Sequence, residues 1–227
     1  AYTSIFKALA IANMAMFWEQ VPDGVSNDFS TPVPFITNTE AYNQAINVLD
    51  SAILLVNATP VSSNFLKNIP AGMNIVNTLY ALKARYALFT EQYALALDAA
   101  NKVELSAKST FNYNQINTNP IFTLATATNN IYQPIDSTMG LPVGLQPDLA
   151  DKREPFYIAI NLTPSRYFKI NGFFNSTTTP VPVYLPGEIM LIKAECYARQ
   201  NNLINGKAWL DSVVTKTPTQ DIFGVGA

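Results

Sequence analysis

Residues Ala81 to Val103 read Ala-Leu-Lys-Ala-Arg-Tyr-Ala-Leu-Phe-Thr-Glu-Gln-Tyr-Ala-Leu-Ala-Leu-Asp-Ala-Ala-Asn-Lys-Val. The stretch predicts two amphipathic helices joined by a tight turn at Thr90 to Gln92. A tetratricopeptide unit needs small residues where its two helices cross and an aromatic side chain just after the turn, and Ala84, Tyr93, Ala96 and Ala100 fall at those offsets. A second stretch, Leu191 to Leu203, has the same frame: Ala194 stands to Leu203 as Ala84 stands to Tyr93, and Gly206 takes the place of Ala96. Two such pairs predict helical-repeat packing, an architecture suited to holding partners.

Working outward, Ile5 to Met16 predicts an apolar helix reaching about Gln20, stopped by Val21-Pro-Asp-Gly24 and hydrophobic nearly all round, hence expected at the centre of the fold. Thr37-Asn-Thr-Glu40 supplies a capping box for a second helix with Tyr42, Ala45, Ile46, Leu49, Ala52 and Ile53 as its buried stripe. Ala71 to Thr90 and Gln92 to Leu105 form the central pair, with Ile75, Leu79, Leu82, Tyr86 and Phe89 in one line. From about 106 to 186 the helical period disappears, and short runs bounded by Asn, Thr and Pro replace it. Within that region Tyr167 to Ile170 and Phe173-Phe174 flank Asn171-Gly172, which predicts a hairpin with a type I′ turn. Helix returns at Pro186-Gly-Glu188, and a last helix, 206–216, is expected to bury Trp209, Leu210, Val213 and Val214. The expected fold is mainly α: one tetratricopeptide-like domain over 1–227 with helices near 1–20, 39–56, 71–90, 92–105, 187–200 and 206–216, and a loop-rich insertion at about 106–186.

Composition narrows function. The chain has 227 residues, no histidine and one cysteine, Cys196. A Ser-His-Asp triad, a Cys-His pair and a His- or Cys-ligated zinc site cannot be built from it. Cys196 shares a face with Ile189 and Ile192 and reads as a buried structural thiol. A formal charge of −2 and a charged fraction of 13% offer no basic footprint for nucleic acid. In place of charge the sequence has amides and hydroxyls, dense over Asn112 to Asn130 and Asn171 to Thr179, which suit neutral, hydroxyl-rich ligands as well as plain solvation. No apolar run reaches the length of a membrane-spanning helix. Neither a charged leader nor a cleavage site precedes Ile5, so a targeting signal is expected outside this stretch.

Four ordered segments together resemble the SusD/RagB family of outer-membrane glycan-binding lipoproteins. Phe17-Trp-Glu-Gln-Val-Pro22 is similar to the family's aromatic-Gly-Asp-Val-Pro helix exit, with Glu19 and Gln20 in place of Gly-Asp. Val48-Leu-Asp-Ser-Ala-Ile-Leu-Leu55 is similar to its Leu-Asp-x-Ala-Ile-x-Leu-Leu helix. The pair at 81–103 is the third, and Val181 to Ala198, an extended strand followed by Glu-Ile-Met-Leu-Ile-Lys-Ala-Glu-Cys, is the fourth. The resemblance implies a non-catalytic glycan-binding component of an uptake system. It would sit at the cell surface on a lipid anchor, deliver an oligosaccharide or polysaccharide to a TonB-dependent, SusC-like transporter, and need no cofactor. A helical-repeat protein-interaction module and an α-helical glycoside-processing enzyme are the alternatives.

Sugar recognition needs aromatic faces for the apolar side of a pyranose and planar polar groups for its hydroxyls. Outside the core helices two clusters meet that need: Trp18 with Asn27, Asp28, Phe29 and Phe35, and Tyr113 with Tyr132 and Gln133. Asp148, Asp151 and Glu154, spaced by three, could share a helix face as acid groups, but Lys152 and Arg153 among them point to a solvated, charge-balanced segment. Asp23, Asn27 and Asp28 offer oxygen atoms without the spacing of an EF-hand.

Overall fold

A computed structural model of the chain describes residues 1–24, 26, 30–126, 138, 140–148, 150–151, 154–160, 168–172 and 174–216. The chain divides into two compact units, Ala1–Ser109 with Val183–Lys216, and one within Thr110–Pro182.

The first unit is built from helix pairs. Helix α1 is Tyr2–Phe17, α2 Asn38–Ala58, α4 Ile75–Phe89, α5 Tyr93–Asn101, α7 Pro186–Arg199 and α8 Leu203–Val214; a single turn, α3, spans Ser63–Lys67. Helix α1 packs on α2, α4 on α5 and α7 on α8, while α2 also meets α4, and α4 and α5 meet α7. That is the stacking of a tetratricopeptide array. At the α4–α5 crossing Ala84 and Ala96 are fully buried. At the α7–α8 crossing Gly206 lies so close to α7 that an added Cβ would stand 3.1 Å from the Ala194 carbonyl oxygen.

Both hairpin turns are made the same way. The Glu91 N–H donates to the Leu88 carbonyl and the Gln92 N–H to that of Ala87; likewise the Asn201 N–H donates to Ala198 and the Asn202 N–H to Tyr197. These paired bonds form a Schellman motif, which needs a left-handed residue after the helix. Glu91 (φ 59°) and Asn201 (φ 60°) take that conformation in place of glycine.

Helix ends follow local chemistry. Thr37 Oγ1 accepts from the Glu40 N–H at 3.2 Å and the Thr37 N–H donates to Glu40 Oε2 at 2.8 Å, closing the expected capping box. The Thr37 N–H, together with the Thr37 hydroxyl, which also donates to Glu40 Oε2 at 2.8 Å, holds the Glu40 carboxyl below its ordinary range. Helix α4 starts at Ile75 rather than Ala71 because Asn74 Oδ1 accepts from the Asn77 N–H. Helix α1 ends at Phe17, three residues early, because Gln20–Pro22 (β1) is drawn into an antiparallel ladder with Phe35–Thr37 (β2). Arg85 joins the repeats: Nη2 donates to Glu188 Oε2 at 2.7 Å and to the Val183 carbonyl at 2.9 Å, and Nε donates to Glu188 Oε1. Burial opposes the Arg85 charge, and the Glu188 carboxylate more than offsets it.

Burial corrects two expectations. Helix α1 is not central: Ile5, Ala8, Ala12 and Ala15 form one buried face, and Phe6, Met16 and Phe17 are exposed. Of the four residues expected in the core of α8, only Val213 is buried; Leu210 and Val214 are exposed. Trp209 is half-buried, with the Lys193 ammonium 4.4 Å from its ring centroid. Periodicity finds an apolar stripe but does not say whether a neighbour covers it. Cys196 is a fully buried free thiol, as its face predicted.

The second unit is irregular, with the chain leaving and rejoining the first along Ser109–Phe111 (β3) and Val181–Tyr184 (β6). Asn119, fully buried, is its tie-point: its N–H donates to the Thr177 carbonyl, Nδ2 to Thr179, and Oδ1 accepts from the Ile121 and Phe122 N–H groups at the head of a short π-helical turn, Phe122–Thr126. Glu154–Tyr157 (α6) leads into Ile158–Ile160 (β4), which pairs antiparallel with Phe168–Ile170 (β5). The type I′ turn expected at Asn171-Gly172 is not formed; Tyr167 and Phe173, of the strands expected to flank it, lie outside the described residues. The Asn171 N–H donates to the Tyr157 carbonyl and Asn171 Nδ2 to that of Pro155, so the chain runs on alongside α6. Neither Asn171 nor Gly172 has the positive φ of a type I′ turn. Gly172 serves a different need, since a Cβ there would stand 2.2 Å from the Phe156 ring.

Candidate functional site

The β1–β2 ladder positions the first aromatic cluster. Its register sets Gln20 against Thr37, Val21 against Ile36 and Pro22 against Phe35. Successive strand residues alternate faces. Val21 is buried, so Pro22 and Phe35 share the outer face, and Phe35 is 64% exposed. Trp18 lies just before the ladder at the C-cap of α1 and is 60% exposed. Phe35 stands beside Pro22, four residues from Trp18, a strand path of about 13 Å. Trp18 thus precedes the Gln20–Thr37 end of the ladder, and Phe35 lies at its Pro22 end.

Polar groups accompany the rings. Gln44 Nε2 donates to Asp23 Oδ1 at 2.5 Å, and the Asp23 N–H is fixed to the Pro34 carbonyl. Asp23 Oδ2 makes no bond within the described residues and can accept from a hydroxyl. Phe17, missed by the sequence reading, is 74% exposed and meets Trp18 edge-on at 6.2 Å. Its signal was available: a residue that ends an amphipathic helix directly before an extended segment has lost the neighbours that would bury it. Asn27, Asp28 and Phe29 lie outside the described residues, and so do Tyr132 and Gln133.

Tyr113, in the second unit, is half-buried. The segment after it is held by Asn114 Oδ1, which accepts from the Ile116 and Asn117 N–H groups, so the tyrosine directly precedes a hydrogen-bonded turn. Asp148, Asp151 and Glu154 do not share a helix face. The Asp151 N–H donates to the Asp148 carbonyl and the Glu154 N–H to that of Asp151, giving consecutive turns, and α6 starts only at Glu154. Among the described residues no group of three His, Cys, Asp or Glu side chains is arranged to hold a metal ion.

A cleft of about 590 Å3 in the first unit is walled by Val56, Val61, Leu66, Met73, Ile75 and Val76. That size suits a small molecule. Its side walls are apolar, with Asn74 and Lys108 as the polar side chains of its lining. Such walls match hydroxyls poorly.

No family model matches the chain, and no curated protein matches it. Solved structures do. A SusD-like carbohydrate binding protein from Bacteroides vulgatus ATCC 8482 superposes with a TM-score of 0.62 at 15% identity, over 98% of this chain and 57% of the other. A SusD/RagB family protein from Bacteroides thetaiotaomicron VPI-5482 gives 0.55 at 20% identity, over 92% and 51%. A SusD-like protein from Bacteroides fragilis NCTC 9343 gives 0.57 at 13% identity, over 98% and 60%. The chain has the fold of the SusD-like proteins and spans between half and three-fifths of the length of these three.

Proposed function

We propose that this chain is a non-catalytic glycan-binding protein of the SusD type, displayed at the cell surface on a lipid anchor and passing oligosaccharide to a TonB-dependent transporter. What supports the reading is the coincidence of two things: a fold shared with a protein described as carbohydrate binding, and three aromatic rings, Phe17, Trp18 and Phe35, left open to solvent along one edge of it. An aromatic face offers a pyranose both dispersion and the removal of its apolar C–H face from water. Asp23 and Gln44 supply planar hydrogen-bonding groups beside that edge.

Retention in polysaccharide-containing native gels tests the reading, followed by calorimetric titration with a retained oligosaccharide. Trp18→Ala and Phe35→Ala should each weaken binding by about 1–3 kcal/mol, the range of aromatic stacking platforms. Because both rings are mostly exposed, neither change should lower the midpoint of thermal unfolding appreciably. Unaltered affinity in both folded variants would overturn this placement of the site. Incubation with the same oligosaccharides should release no products on chromatography.

A further inference from the structure

A second arrangement of the same chemistry lies at the α4–α5 turn. Gln92 Nε2 donates to Asn43 Oδ1 on α2 and to Thr90 Oγ1, each at 2.8 Å. Both amide hydrogens of Gln92 are thereby used, and the two amides are locked together. Among the described residues Asn43 Nδ2 and Gln92 Oε1 have no partner, and Asn43 is exposed. A hydrogen-bond donor and an acceptor thus stand side by side, held by a bond that needs no reorganisation when a ligand arrives. Next to Thr90, Phe89 is 46% exposed and backed edge-to-face by the buried Tyr42, with centroids 5.5 Å apart. This ring has one side supported by Tyr42 and is otherwise open to solvent.

We infer that Phe89, Asn43 and Gln92 form a second contact point for a neutral, hydroxyl-rich chain: the ring stacks on one sugar and the paired amides read two neighbouring hydroxyls of it or of the next. This rests on the glycan-binding reading and deepens it. The amides are uncharged, so they match hydroxyls without the desolvation penalty of an ion. Position favours an extended ligand. Asn43 and Gln44 are consecutive on α2, Asn43 tied to the α4–α5 turn and Gln44 to Asp23 beside Pro22 and Phe35. Both aromatic edges therefore flank the N-terminal half of α2, whose outward positions, Glu40, Asn43 and Asn47, are exposed.

The experiment uses the full chain in native gels containing pullulan, laminarin, mannan, xylan or dextran, with Phe89→Leu, Asn43→Ala and Phe35→Ala compared with the parent protein. Leucine at 89 keeps an apolar contact on Tyr42 while removing the ring face, so loss of binding is separable from loss of fold, which thermal unfolding checks. Phe89→Leu and Asn43→Ala are each expected to weaken retention about tenfold on the polysaccharide the parent retains, and to weaken long oligosaccharides more than short ones. If the parent is retained and Phe35→Ala is impaired while Phe89→Leu and Asn43→Ala behave as the parent, the second contact is overturned and the glycan-binding reading stands. If the parent is retained by none of the five, both fall.

Discussion

The α4–α5 and α7–α8 pairs share a turn, a pair of small crossing residues and a left-handed residue without glycine, and they differ in what covers them. Helix α5 is packed against both α4 and α7 and buries Ala96, Ala99 and Ala100. Helix α8 packs chiefly on α7 and buries Gly206 and Val213, leaving Leu203, Ile204, Leu210 and Val214 exposed. Closing a helical hairpin and burying its outer face are thus separate events. The first is encoded in the pair itself; the second depends on the next layer of the stack.

Truncating one leucine in each pair breaks or confirms that contrast. Leu82→Ala, at a fully buried position on α4, should lower stability by about 2–5 kcal/mol. Leu210→Ala, on the open face of α8, should change it by less than about 1 kcal/mol. Urea denaturation measures both, and equal losses would mean that α8 is covered in solution.

The crossing points give a smaller effect. Ala84→Leu should overpack α4 against α5 and lose about 1–3 kcal/mol. Glycine to alanine within a helix normally gains about 0.5–1 kcal/mol. At Gly206 the new Cβ would meet backbone atoms of Ala194 and Ala198 at 3.1 and 3.3 Å. Gly206→Ala should therefore lose rather than gain stability, and a stabilised variant would show that the two helices can part at little cost.

The turns should respond least. Glu91→Gly relieves a left-handed non-glycine residue and should gain about 1 kcal/mol, whereas Asn201→Gly should gain only a few tenths, because asparagine tolerates that conformation. Thermal unfolding of the two variants orders them; a larger gain at Asn201 would contradict the shared turn geometry.

The repeat was legible because its signals are local. Ala84, Ala96, Ala194 and Gly206 announce close approach, and Thr37 with Glu40 announces a helix start. What could not be read was decided at long range. Turn chemistry at Asn171-Gly172 was genuine, but β5 found its partner in β4, and Gly172 was required by the Phe156 ring. The early end of α1 was set by pairing with residues 35–37. In the candidate site, Trp18 and Phe35 were legible as aromatics outside helix interiors. The pairing that sets Phe35 beside Pro22 depended on the ladder's register, and the Asn43–Gln92 pair joins side chains far apart in sequence that no motif links.

Cys196 is the sole thiol of the chain, and it lies within the less covered of the two pairs. Burial pushes it up to about 11, so near neutral pH it is both protonated and out of reach of a reagent. A thiol reagent can then react only when the packing around α7, against α4, α5 and α8, opens, and its labelling rate under native conditions counts those openings. The protein thus carries an internal clock for the loosening of α7 from its neighbours, readable without introducing a label.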